Sequence, residues 1–202
     1  MGKKALSGRE NWQDESGKKA AVAEQNLYEV FDAAFYGTDY RLHKKPKHLS
    51  DLYASVALPP GVLKEIYDPP VDLSAKKWGV APDFGIENTR TGKILFGEIK
   101  RQDGWVEGKL PSDGRGNVHE RACKWFTPGL LKAARNAGGI YSEDTLPFWI
   151  VFQGDVTRDP KRVREIALWF DTYKDNFFMW RPTMSGFHLL DHFTKKLKKH
   201  LD

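Results

Sequence analysis

A chain of 202 residues, 40% hydrophobic with seven Trp and twelve Phe, is long enough to bury one sizeable core, so a single domain over residues 1–202 is expected. The lone Cys123 excludes an internal disulfide and a multi-cysteine zinc site and fits a reducing cytoplasm, while no apolar run approaches the length of a membrane span and the polar N-terminus lacks a signal peptide's apolar stretch. The net charge of +5, with basic residues clustered at Arg41 to Lys47, Lys100-Arg101, Arg115 to Lys124 and Lys195 to Lys199, fits a polyanionic partner, although solvated basic faces are ordinary.

Residues 1–18 mix charges with Gly and Ser and read as a mobile arm. From Lys19 the apolar spacing Ala20, Ala23, Leu27, Val30, Phe31 and Ala34 predicts one face of a helix that stops near Gly37. A basic loop, Arg41 to Lys47, leads to a short helix around Leu49 to Ala57. Pro59-Pro60 and Asp68-Pro69-Pro70 bracket another short amphipathic piece.

Asp83 to Asn88 and Lys93 to Lys100 are strand-like, and Thr89-Arg90-Thr91-Gly92 between them has turn composition, which predicts a hairpin. Asp103 to Gly116, with four glycines and one proline and no periodicity, reads as a loop. Asn117 to Phe126 reads as a helix, and Thr127-Pro128 as the cap and first turn of another that ends before Gly138-Gly139. The continuous apolar run Pro147 to Phe152 has the length and character of a central strand. Asp159-Pro160 caps a helix through about Lys174, and Phe177 to Trp180 offers a last strand, core rather than a base-stacking platform. The order predicts an α/β fold, a mixed central β-sheet flanked by helices.

The hairpin carries the chemistry. Side chains alternate faces along a strand, so Glu98 and Lys100 share one face with Ile94 and Phe96, while Leu95, Gly97 and Ile99 share the other. A turn centred on Arg90 and Thr91 sets Ile86 opposite Leu95 and Asp83 opposite Glu98. Directly paired Cβ atoms lie about 4.5 to 5.5 Å apart. Carboxylates that close repel unless a divalent cation sits between them, and hard oxygen ligands suit Mg²⁺. Asp83 and Glu98 are therefore the expected metal ligands, aided by the Ile99 backbone carbonyl, with Lys100 to orient or deprotonate an attacking water. A solvated Glu/Lys pair on a polar hairpin rim is the competing reading, and the register weighs against it. A second copy of the spacing, Glu107-Gly108-Lys109, lies among glycines with no hairpin partner and reads as structural or solvated. His188 and His192, four apart on an apolar segment, read as packing or surface residues rather than a metal pair.

A second constellation, Arg115-Gly116-Asn117-Val118-His119-Glu120-Arg121, stands between the glycine-rich loop and a helix. Asn can bond an adenine edge bidentately and Arg a guanine edge, and glycine lets backbone approach a groove wall closely. Asn117 and Glu120 also have the spacing of a capping box, which needs no ligand.

With the hairpin Asp83, Glu98-Ile99-Lys100 followed by Gly116-Asn117-x-x-Glu120-Arg121, the chain resembles type II restriction endonucleases of the EcoRI group, within the PD-(D/E)xK nuclease superfamily. The resemblance covers about a fifth of the chain. It implies a restriction-endonuclease-like core and a homodimer that uses Mg²⁺ to cut palindromic double-stranded DNA with an AATT core, leaving 5′ overhangs. A flanking C·G pair would make the site CAATTG. It further implies that Asn117 and Arg121 read the inner adenines, that Glu120 buttresses the arginine, and that Glu24 or Glu29 on the first helix adds an acid. Arg115 is the candidate for the outer pair on position and charge alone. Such an enzyme has a cognate DNA methyltransferase as a genetic rather than a physical partner. A structure-specific nuclease acting on junctions or in repair would keep the hairpin and need no base-reading segment; a non-enzymatic DNA-binding module would need only the basic surface.

Overall fold

The computed structural model describes residues 2–65, 78–103 and 119–202. Five strands form one mixed sheet in the order β1 (Tyr40–Lys44), β2 (Phe84–Asn88), β3 (Lys93–Arg101), β4 (Phe148–Gln153) and β5 (Phe177–Trp180). The β1–β2 and β2–β3 pairs are antiparallel, and the β3–β4 and β4–β5 pairs are parallel. Five α-helices accompany them among the described residues: α1 (Gly2–Phe35), α2 (Pro60–Glu65), α3 (Pro128–Gly138), α4 (Pro160–Phe170) and α5 (Gly186–His192).

The expected hairpin forms in the expected register, with Ile86 opposite Leu95 and Phe84 opposite Gly97. Gly92 closes the turn at φ 71°, and the N–H groups of Thr91 and Gly92 both donate to the Asn88 carbonyl at 3.2 and 2.8 Å. The tight turn fixes the register, and the register fixes which side chains face which layer. Phe84, Ile86, Leu95 and Ile99 join Trp149 and Val151 against Leu27, Phe31, Leu189 and Phe193 of the α1/α5 layer. Ile94 and Phe96 join Phe148, Ile150 and Phe152 against Leu130, Ala134, Ile166 and Phe170 of the α3/α4 layer. Strand β4 is buried on both faces, as its unbroken apolar run predicts.

Several elements differ from the sequence reading. Residues 2–18, read as an arm without regular structure, are helical and form the first part of α1, a 34-residue helix. Apolar periodicity locates only the packed part of a helix, and the polar stretch ahead of it contains no proline to stop propagation. The expected basic loop at Arg41 is β1, an edge strand whose Tyr40 and Leu42 pack on the α1/α5 layer while Arg41 and His43 alternate outward. Charged residues on an edge strand hide its period. The expected helix at Leu49 to Ala57 is a run of turns, because the N–H groups of Tyr53 and Ala54 both donate to the Trp78 carbonyl, at 2.9 and 3.1 Å, rather than back along a helix. Helix α4 begins at its Asp159 cap but ends at Phe170, where Asp171 takes φ 43°. The C-terminal run α5, continued by a π turn Phe193–Leu197 and a 3₁₀ turn Lys198–His200, was not anticipated at all. Segment Asp68-Pro69-Pro70 lies outside the described residues.

Candidate active site

Asp83 ends the loop entering β2, and Glu98 and Lys100 project from β3. One Asp83 carboxylate oxygen, Oδ2, accepts the Ile99 backbone N–H at 2.9 Å and the Lys100 ammonium at 3.2 Å. The Lys100 ammonium also meets Glu98 Oε2, while Glu98 Oε1 meets the Lys124 ammonium at 3.2 Å. Glu98 is only 2% exposed. On the far side, the Tyr28 hydroxyl of α1 donates to the Asp83 carbonyl at 2.8 Å and lies 3.3 Å from Glu24 Oε2, which Lys45 also meets at 3.3 Å. Between the two candidate acids of α1, Glu24 faces the site. Glu29 is exposed and bonded to Gln25.

Burial sets the electrostatics and charge neighbours divide it. Burial, and then the charge of Glu98, push the Asp83 carboxyl above its usual range against the pull of Lys100. Burial pushes Glu98 up as well, but the ammonium groups of Lys100 and Lys124 outweigh it and hold this carboxyl down. Lys100 loses solvation, yet its two carboxylates more than compensate and keep it protonated.

The site suits a hard divalent cation. Two carboxylates converge on one end of the hairpin, one pinned by a backbone amide, and two ammonium groups supply a countercharge equal to that of such an ion. Among the described residues no group of three or more His, Cys, Asp or Glu is placed to hold a metal ion, here or elsewhere, so this site offers two carboxylates and not three.

The other predicted residues divide. Glu120 and Arg121 are exposed on a 3₁₀ helix, Glu120–Phe126, anchored by buried Ala122 and Trp125. His119 ahead of it is 1% exposed, stacks on Trp169 at 5.4 Å and approaches Glu165 Oε2 at 3.2 Å. Arg115, Gly116 and Asn117, the loop to Gly116 and the second spacing Glu107-Gly108-Lys109 lie outside the described residues. His192 stacks on Trp149 at 5.7 Å and bonds the Asp175 carbonyl, and His188 bonds Ser185, so neither faces the other as a metal pair. Phe177 to Trp180 form β5 and pack into the two layers, as expected. Lys124 and Tyr28 were missed. A phenol on the buried face of α1 was the signal for Tyr28, since a buried hydroxyl requires a partner.

A mixed sheet with antiparallel β1–β3, parallel β4 and β5, and a carboxylate-bearing central hairpin is the core of the restriction-endonuclease-like nucleases. The chain belongs to the MunI family of type II restriction enzymes: the family described as "Type II restriction enzyme MunI" matches residues 1–202. A relative from Mycoplasma sp, the type II restriction enzyme MunI, is 68% identical over 202 residues, covering 100% of each chain. The crystal structure of MunI restriction endonuclease in complex with cognate DNA superposes with a TM-score of 0.82 at 67% identity, over 95% of this chain and 98% of that one. The protein is thus a site-specific endonuclease that binds DNA, and the non-enzymatic and structure-specific readings fall away. No helix among the described residues is long and apolar enough to cross a membrane.

Proposed function

We propose that the chain hydrolyses double-stranded DNA at the palindrome CAATTG, leaving 5′ overhangs, with Mg²⁺ held by Asp83, Glu98 and the Ile99 carbonyl. The observation that carries the reading is the convergence of Asp83 and Glu98 on Lys100, with the Ile99 N–H fixing the Asp83 carboxylate. When bound, the ion neutralises charge developing on the scissile phosphate. Lys100 orients the attacking water and offsets the same charge. Tyr28 and the Ile99 amide hold Asp83 at its backbone and side chain, and Glu24 adds negative charge beside it.

Arg115, Gly116, Asn117, Glu120 and Arg121 form the base-reading segment, with Asn117 and Arg121 on the inner adenines, Glu120 supporting the arginine and Arg115 on the outer C·G pair. A homodimer presents two such sites to the two strands of a palindrome. The enzyme acts in the cytoplasm, and a cognate DNA methyltransferase, a genetic rather than a physical partner, protects the host's own sites. The 68% identity to a type II restriction enzyme supports site-specific cutting, and the choice of sequence rests on the resemblance of the Gly116 to Arg121 motif.

Asp83→Ala and Glu98→Ala test the site. Each should abolish cleavage of a plasmid bearing CAATTG while leaving binding to that duplex intact or tighter, since repulsion against phosphate falls as the metal ligand is lost. Glu107→Ala should cut normally. Unimpaired cutting by either site variant, or a dead Glu107→Ala beside an active Glu98→Ala, would refute the assignment.

A further inference from the structure

Both oxygens of the buried Glu98 carboxylate are engaged, and the two ammonium groups that engage them are held very differently. Lys100 projects from the same strand, is 18% exposed and also bonds Asp83. It is part of the pair. Lys124 comes from a separate element, is 44% exposed, and reaches Glu98 Oε1 at 3.2 Å with its ammonium over the Trp125 ring. A divalent ion that takes Glu98 as ligand competes with these two like charges for its oxygens, and Lys124 is the one with solvent behind it.

The element that carries Lys124 is the same 3₁₀ helix that carries Glu120 and Arg121. Such a helix has three residues per turn, so side chains at i and i+3 eclipse. Arg121 and Lys124 therefore leave one edge of the helix together, one into solvent and the other towards the catalytic carboxylate. DNA docked on that edge brings phosphate oxygens within reach of a long, exposed lysine, and an ammonium that moves to phosphate vacates Oε1.

We propose that Lys124 is a positioning residue that blocks cation loading: its ammonium occupies the Glu98 ligand oxygen in the free protein, and docking of DNA on the Glu120–Phe126 helix draws it away. The proposal rests on Asp83 and Glu98 being the metal ligands. Removal of the Lys124 charge leaves two carboxylates against one ammonium, a net negative pocket with an open oxygen. Cation affinity in the free protein then rises, while affinity in the DNA complex, where Lys124 has already left, does not.

Calorimetric titration with Ca²⁺, which permits binding without cleavage, tests this on the free protein and on its complex with a CAATTG duplex. Lys124→Met should bind Ca²⁺ on the order of tenfold more tightly than the unaltered protein when free, the ordinary size of a coupling. The two should converge in the complex. Lys124→Arg, which keeps the charge, should behave as the unaltered protein, and Lys124→Gln replaces Lys124→Met if that variant melts early. Equal free-state affinities for charged and uncharged variants overturn the proposal, as does a tenfold gap that persists unchanged on DNA. Glu98→Ala separates the two levels of inference: loss of Ca²⁺ binding there keeps the metal site while Lys124 is judged, and undiminished binding overturns the metal site and this proposal together.

Discussion

Tyr28 and Asp83, 55 residues apart, are joined by a single hydrogen bond of 2.8 Å from the phenol to the Asp83 carbonyl. The bond ties the longest helix to the peptide that presents a proposed metal ligand, and Tyr28 is itself 7% exposed. Burial, then the charges of Glu24 and Asp83, raise its phenol well above the ordinary range, so it remains a donor throughout the working pH range. Tyr28→Phe should cost about 0.5 to 1.5 kcal/mol, the usual worth of one such bond, read from the urea midpoint. Single-turnover cleavage should slow by roughly tenfold or less while binding stays unchanged, because the loss concerns the aim of Asp83 and not contact with DNA. Weakened binding with an unchanged cleavage step would contradict this role.

Gly97, on the face of β3 shared by Leu95 and Ile99, lies under the Phe84 ring: a Cβ there would sit 2.1 Å from ring carbon Cζ. Phe84 is fully buried and has nowhere to retreat. Gly97→Ala should therefore destabilise by about 1 to 3 kcal/mol. Thermal melts should show Phe84→Leu recovering part of that loss in the double variant, and strict additivity would mean that the clash is not the cause.

Acid should weaken the fold through its histidines. Burial holds His119 and His192 below the ordinary 6.5, with Arg162 adding to the effect at His119. A group with a depressed folded-state pKa binds more protons when unfolded, so its contribution is complete above 6.5 and is lost as pH falls from there through the lower folded value. Asp83, raised by burial, runs in the opposite sense. The comparison that isolates the histidine is Tm against pH for the unaltered protein and His192→Phe: between about pH 7.5 and 5 the variant's curve should be flatter. Parallel curves would remove His192 from the acid response.

Reading and positioning of DNA should separate by salt and sequence. Arg115→Ala and Arg121→Ala should each lose about 1 to 3 kcal/mol on the CAATTG duplex and little on a scrambled one, measured in Ca²⁺. Lys195 and Lys196 already meet Asp191 and Asp175, at 2.9 and 3.5 Å. Their replacement should change affinity slightly and alike for both duplexes, with a flatter salt dependence. Equal losses on both duplexes for the two arginines would remove the segment from base reading.

Local rules carried the hairpin, because a short turn dictates register and register dictates which carboxylates meet; Ile86 opposite Leu95 was legible from four turn residues. Strand β4 and helix α3 were equally plain, one an unbroken apolar run and the other bounded by Thr127-Pro128 and an αL Gly139. Strand β1 was not, since its charged edge residues mask the alternation of Tyr40 and Leu42. The C-terminal helix left a signal that was overlooked: Leu189, Phe193, Leu197 and Leu201 recur every four residues and all are buried. Lys124 was illegible in principle. Its neighbour Glu98 lies in another element, and nothing local in the sequence encodes that meeting.

Parallel pairing of β3 with β4, from Phe96 beside Phe148 to Arg101 beside Gln153, has a bearing on the cell that makes the enzyme. The strand bearing Glu98 and Lys100 emerges from the ribosome long before the strand that flanks it, because a parallel neighbour needs a crossover while a hairpin does not. At synthesis rates of about 5 to 20 residues per second, the half-finished chain spends seconds with its carboxylates on an unsupported ribbon. The face that carries Glu98 and Lys100 therefore stays one strand short until Phe148–Gln153 has been made and paired beside it.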